Sequence, residues 1–277
     1  MKIAYLMLAH KNPNQIKRFL MNIKNGDIYI HIDKKKDIYE FDVVKNKNVF
    51  FIENRVAINW GGYTMMEATF NLLNVAIKKE YDYYILVSGD DYFIKSEDDF
   101  IKFLYENKGK SFIEYNKFET DWKNLKYRYN NYNLFENKNS LLKKIIQKIV
   151  NSLITKRNMY NNWIAYKGSQ WWCLDLYATK YLLNYVNKNN SIKRYFRHTI
   201  VPDEMMIQTI LLNSPYSKKI VNDNLRYIRL GNKNHPDILT KNNFDELIKA
   251  KNKFLARKFD EKYDIQILDM IDNYLKQ

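Results

Sequence analysis

Apolar residues along the first hundred positions follow two rhythms. Residues 3–9, 28–32, 49–52 and 83–87 are short continuous apolar runs rich in β-branched and aromatic side chains, which predict buried strands. Between them, 15–23 and 64–77 repeat their apolar residues at spacings of three and four, which predicts helices with one buried face. Strands alternating with helices predict a parallel or mostly parallel sheet flanked by helices and joined by right-handed crossovers. Ligands of such sheets gather at the carboxyl ends of the strands. His31 and Asp33 end one predicted strand, and Ser88, Gly89, Asp90 and Asp91 end another.

The last third continues with a strand at 171–176, helices near 178–187 and 203–212, and a helical tail from about Asp264. The middle, 115–166, is rich in Asn, Lys and Tyr and holds one segment of different character. Over 141–157 apolar residues come in pairs every four positions, Leu141 and Leu142, then Ile145 and Ile146, then Ile149 and Val150, with lysines between. This is a basic amphipathic helix, and its apolar face is expected to pack on its own domain. Contact with a membrane surface and docking of a protein partner are the alternatives.

Composition narrows the class. The chain has 277 residues, enough for one large domain, and 46% hydrophobic with 16% aromatic residues excludes a disordered chain. Its one cysteine, Cys173, excludes an internal disulfide and a cysteine metal cluster. The opening MKIAYLMLAH turns polar at Lys11, too short for a leader or a spanning helix, so a cytoplasmic protein is expected. Lys+Arg number 46 against 31 Asp+Glu, a formal charge of +15, which favours anionic partners such as nucleotide phosphates or anionic lipid. No GxGxxG or GxxxxGK[ST] occurs, so the usual dinucleotide and P-loop phosphate cradles are missing.

Several residues have the chemistry for a nucleotide-sugar reaction, each beside a plainer reading. Asp33 after its strand can accept from a ribose hydroxyl or a uracil N–H, or simply cap a turn. Asp90 and Asp91 in SGDDY are hard oxygen ligands suited to Mg or Mn on a diphosphate, or another turn. Glu204, in Pro202-Asp203-Glu204 before an apolar helix, is a general-base candidate or part of an ordinary helix start. Arg257 and Lys258 can neutralise a departing diphosphate or lie on the surface as solvated charges. The segments Trp60-Gly61-Gly62 and Gly168-Ser169-Gln170-Trp171-Trp172 join glycines, which let a ligand approach the backbone, to tryptophans that stack on sugars or fill a core. His10, His198 and His235 form no metal-ligand spacing.

Six segments follow one another in order, RVAINWGGYTMMEATFNLL, YDYYILVSGDDYFI, KGSQWWCLDLYATKYLL, VPDEMMIQTILLNS, NLRYIRL and FLARKFD. Together the chain resembles the core-2/I-branching β-1,6-N-acetylglucosaminyltransferase family, which includes peptide O-xylosyltransferases and bacterial members. The resemblance implies a GT-A-like α/β fold in a single domain, 1–277, with a nucleotide-binding half at 1–115. The other half, 116–277, would hold the acceptor and a C-terminal segment for the diphosphate. It implies inverting transfer from a UDP-sugar, N-acetylglucosamine first and xylose second, without a metal. Glu204 is then the base, and Lys258 with Arg257 holds the diphosphate. Asp33, Trp60, Gly61, Ser88, Gly89 and Asp91 line the donor. Lys126, Arg128, Gly168, Ser169 and Trp172 line the acceptor, expected to be a glycan, a lipid-linked glycan or a glycoprotein, with no nucleic acid partner.

Two departures stand out. Asp237 occupies a place where relatives carry a basic residue, with Lys241 a displaced substitute, and Leu230 stands where an aromatic platform can occur. Two rivals remain: a metal-dependent transferase using Asp90 and Asp91, separated by chelator sensitivity, and a basic polyanion- or membrane-binding module, separated by salt-sensitive binding indifferent to UDP.

Overall fold

The computed structural model describes residues 1–120, 125–137, 140–231 and 235–276. Its strands are β1 (Ile3–Ala9), β2 (Gly26–Ile32), β3 (Val49–Phe51), β4 (Tyr83–Ser88), β5 (Asp91–Phe93) and β6 (Ser111–Ile113), followed by β7 (Asn116–Lys117), β8 (Tyr166–Lys167), β9 (Trp172–Asp175), β10 (Ile220–Val221), β11 (Arg226–Ile228) and β12 (Leu255–Arg257). The helices are α1 (Pro13–Leu20), α2 (Thr64–Ala76), α3 (Glu97–Glu106), α4 (Tyr127–Asn130) and α5 (Leu141–Leu153), then α6 (Leu176–Lys188), α7 (Asn190–Arg197), α8 (Met206–Leu212), α9 (Phe244–Lys249) and α10 (Gln266–Leu275). The strand and helix runs read from the apolar pattern are present with ends moved by a few residues. The helix read at 203–212 begins later, because 202–204 form a single 3-10 turn ahead of α8.

The main sheet has the order β10-β6-β9-β4-β1-β2-β3. It is parallel except for β9, which runs antiparallel to both β4 and β6, so the expected mostly parallel α/β architecture is what forms. Strands β9 and β10, from the second half of the chain, complete the sheet begun by the first half. β1 is buried along its whole length because helices cover both faces. Its side chains alternate: Ala4, Leu6 and Leu8 join the core under α2, α6 and α8, while Tyr5 and Met7 join the opposite core with Phe19 of α1, Phe100 of α3 and Ile267 of α10. Cys173 lies in this second core, where burial pushes its thiol far up and leaves it inert.

A second, three-stranded sheet of order β11-β12-β5 stands beside the carboxyl end of β4. β12 pairs antiparallel with β5, which sets Arg257 opposite Asp91, and parallel with β11, which sets Arg257 beside Ile228. The three short strands of this sheet carry no apolar run that marks them in the sequence, yet together they gather residues 91, 226 and 257.

α5 corrects one expectation. The basic amphipathic helix forms at Leu141–Leu153, but its apolar face does not pack on the domain: Leu141 is 72% exposed, Leu153 80%, and Gln147 is its buried residue.

Candidate active site

The carboxyl ends of β4, β1 and β2 meet at one sheet edge. Gly89 N donates to Leu8 O at 3.1 Å, Asp33 N donates to Ala9 O at 2.9 Å, and Gln15 of α1 donates through Nε2 to Gly89 O at 2.7 Å. His10, Lys11, Asp33 and the Ser88–Asp91 turn are thereby neighbours. Asp33 Oδ1 accepts from Lys35 N at 2.9 Å, so this carboxylate shapes its own turn as well as facing the edge. His31 is buried, and its Nε2 accepts from Val56 N at 2.8 Å, which requires the neutral ring; burial lowers its pKa accordingly.

Four cations surround the two aspartates of SGDD. Asp90 lies between two lysines, with Lys11 Nζ 3.3 Å from Oδ1 and Lys258 Nζ 3.5 Å from Oδ2. Asp91 lies between two arginines, with Arg226 Nε 3.4 Å from Oδ2 and Arg257 Nη1 3.4 Å from Oδ1. Ser88 fixes the turn: its N and Oγ donate to Asp91 at 3.0 and 3.1 Å, and its Oγ accepts from Asp90 N at 3.2 Å. Arg226 is buried and Arg257 partly so, and both face the Trp171 ring, with guanidinium carbons 4.1 Å (Arg257) and 5.5 Å (Arg226) from its centroid. Desolvation pushes the Arg226 pKa down to about 10, against the opposing pull of Asp91. The lysines are the accessible members. Burial alone would lower the Lys11 pKa, but its hydrogen bond to Asp260 (2.8 Å) and the charge of Asp90 carry it upward.

The second centre is Glu204. Its carboxylate is 42% exposed and accepts from Arg128 Nη2 at 3.0 Å, while the Arg128 side chain is only 8% exposed. Arg128 Nη2 also donates to Val201 O at 2.9 Å, and its Nε donates to Ile200 O at 3.3 Å. Gly61, at φ 70°, accepts through its carbonyl from Val201 N at 3.0 Å, and Gly168 N donates to Glu204 O at 2.9 Å. A side chain at Gly168 would stand 1.8 Å from Glu114 O, so the backbone reaches Glu204 only because this residue is glycine. Val201 holds φ 52°, a strained conformation for a β-branched residue, directly before Pro202. The segments around 61, 128, 168 and 201–204 thus converge on one half-exposed carboxylate.

Asp203, next to it, is buried, and its Oδ1 has no hydrogen-bond partner. Desolvation first, and the Glu204 charge second, push its pKa up to about 7. A folded-state pKa above the ordinary 3.8 makes ionisation oppose folding, so stability falls as pH rises from about 4 to about 7. Asp203→Asn is therefore expected to gain roughly 2–3 kcal/mol over the unsubstituted protein between pH 5 and pH 8. Denaturant titrations at the two pH values check this; an equal stability difference at both would remove the buried acid.

The remaining predicted site residues fall as follows. Trp60 is exposed, with its ring 6.3 Å from that of His235. Ser169 Oγ accepts from Trp171 N, and Ser169 O accepts from Gln208 Nε2. Lys126 is exposed at the start of α4, but Arg128 is the basic residue of that segment that reaches Glu204. Trp172 needs correction: its ring is 1% exposed within the core under α6, and Trp171 is the tryptophan of GSQWW that faces the cations. Lys241 does not reach the cluster, because its Nζ donates to Gln266 Oε1 at 2.9 Å, and Asp237 faces Arg229 at 3.8 Å. Lys11 and Arg226 are the cations that sequence reasoning missed. Arg226 stood in the quoted NLRYIRL segment, and Lys11 follows the first strand. Among the described residues no group of three or more His, Cys, Asp or Glu is arranged to hold a metal ion.

A family model described as Core-2/I-Branching enzyme matches residues 3–248. Xylosyltransferase 2 of the dog, Canis lupus familiaris, is 23% identical over 311 positions covering 99% of this chain and 34% of that protein. Xylosyltransferase sqv-6 of Caenorhabditis elegans is 24% identical over 237 positions, covering 81% of this chain and 28% of that protein. The chain spans about a third of the length of the curated relatives it matches. Among solved structures, mouse xyloside xylosyltransferase 1 in its apo form aligns with a TM-score of 0.43 at 11% identity, over 92% of this chain and 97% of that one.

Proposed function

This chain belongs to the Core-2/I-branching enzyme family, and from that premise we propose that it is an inverting glycosyltransferase, moving a sugar from a UDP-sugar to an acceptor hydroxyl. One observation carries the mechanism: a single half-exposed carboxylate, Glu204, and a separate cluster of four cations are tied together by the GSQWW segment, through Gly168 at one end and Trp171 at the other. Glu204 accepts the proton of the acceptor hydroxyl as its oxygen bonds to the anomeric carbon. The bond from that carbon to the β-phosphate oxygen breaks in the same step, and UDP leaves with the electron pair. Lys258 and Lys11 take up the charge that develops on the diphosphate. No second carboxylate is required, because an in-line displacement forms no covalent glycosyl-enzyme.

Asp33 serves the uracil end, and Trp60, Gly61, Ser88 and Gly89 serve the donor. Asp91 positions Arg226 and Arg257 beneath the lysines. Arg128 orients Glu204, and Lys126, Gly168 and Ser169 face the acceptor, a glycan, a lipid-linked glycan or a glycoprotein, while Trp171 backs the arginines of the cation cluster. A bound divalent cation is not needed: Asp90 and Asp91 already face four positive side chains, which would repel a further one. UDP-N-acetylglucosamine and UDP-xylose are the two donors to test first, the second favoured by the names of the curated relatives. The test is UDP release from a panel of UDP-sugars with a soluble glycan acceptor, and the product anomer read by NMR. A β-linked product from an α-linked donor is expected, and retention at that carbon would overturn the one-step reading.

A further inference from the structure

α5 is built inside out. Its polar side is the one held by the protein: Gln147 donates to Tyr132 O and accepts from Leu134 N at 2.8 Å, and Asn151 Oδ1 accepts from Tyr132 N at 3.1 Å. Just after the helix, Arg157 N donates to Asn130 O at 2.8 Å and its guanidinium donates to His198 O at 2.8 Å and Tyr195 O at 2.9 Å, so this cation belongs to the interior. With both ends of the 130–134 segment clamped to that side, the opposite arc faces solvent. Leu142 is 65% exposed, Ile145 48% and Ile149 50%. A row of aliphatic side chains left in water costs free energy unless something covers it.

We propose that α5 docks on an anionic lipid bilayer. Residues 141–157 contain no acidic side chain, and Lys144, Lys148 and Lys156 are exposed beside the apolar arc. A row of aliphatic residues bordered by uncompensated lysines suits the acyl and phosphate layers of such a surface. The same charges disfavour a second copy of this chain, since pairing two such helices would bring lysines together with no carboxylate between them. Among the described residues no helix is long and apolar enough to cross a membrane, so the contact is peripheral. The 130–134 segment that anchors α5 continues directly from α4, whose Arg128 reaches the Glu204 carboxylate at 3.0 Å. Resting on the transferase reading, this presents the acceptor side of the cleft to the bilayer and favours a lipid-linked acceptor.

Sedimentation of the full chain with vesicles tests the surface. The protein is expected to pellet with vesicles of equal parts phosphatidylcholine and phosphatidylglycerol, and much less with phosphatidylcholine alone. Lys144→Gln with Lys148→Gln is expected to weaken binding roughly thirtyfold. Ile145→Ser with Ile149→Ser is expected to abolish it with melting temperature and UDP affinity unchanged, so loss of docking is distinguishable from loss of the transferase site. The proposal falls if the unsubstituted protein stays in the supernatant or if both variants bind undiminished. It falls equally if the serine variant unfolds, which would make the face core, or if these substitutions instead dissolve a dimer.

Discussion

Glu204→Gln is expected to lower turnover by roughly a hundred- to ten-thousand-fold while leaving UDP affinity unchanged. The amide keeps the size of the carboxylate and an oxygen to accept from Arg128, so the cleft keeps its shape, but it cannot take a proton from the acceptor. On the proposed reading UDP binds at the cation cluster around Asp90 and Asp91, whereas the Glu204 carboxylate is held by Arg128, so the donor side is spared. Turnover measured at saturating donor, with UDP affinity measured separately, checks both halves. A variant with undiminished turnover would remove Glu204 as the base. Asp203 is a poor substitute, since it is buried behind the turn.

Lys258→Ala is expected to weaken UDP binding roughly ten- to hundredfold, the range for losing a charge-assisted hydrogen bond to phosphate. Lys11→Ala should act in the same direction, because its ammonium lies on the opposite oxygen of Asp90. Both substitutions leave Asp90 with less positive charge nearby, which adds repulsion toward the diphosphate. Lys241→Ala serves as the contrast: its Nζ is engaged with Gln266, and UDP affinity should not change. Calorimetric titration with UDP checks all three, and wild-type affinity in Lys258→Ala would sink the diphosphate assignment.

The parts of the molecule legible in the sequence were those with long periodic signals. β1, β2, β4 and α2 read directly from runs of apolar residues, and their order gives the parallel sheet and its ligand-bearing edge. The three-residue strands β5, β11 and β12 were not legible, because nothing local marks them and the pairing of β12 with β5 joins positions more than a hundred residues apart. Arg226 entered the cluster through β11, which pairs with β12, and Lys11 through the pairing of β1 with β4, which sets it beside Asp90. The Trp172 assignment failed for a local reason: neighbouring tryptophans at a strand start point in different directions, and sequence does not say which. α5 failed differently. Its amphipathic pattern was read correctly, but pattern alone does not say which side a helix turns inward, and here hydrogen bonds from the 132–134 backbone to Gln147 and Asn151 decide.

UDP is proposed to be held by lysine side chains in place of a metal ion. Thermal stabilisation by UDP, measured with and without EDTA, tests it most directly. UDP is expected to raise the melting temperature equally in both conditions, with UDP-N-acetylglucosamine and UDP-xylose ranked by the size of the rise. Stabilisation that disappears with EDTA would contradict it, returning Asp90 and Asp91 to metal binding and withdrawing Lys11 and Lys258 as the diphosphate clamp.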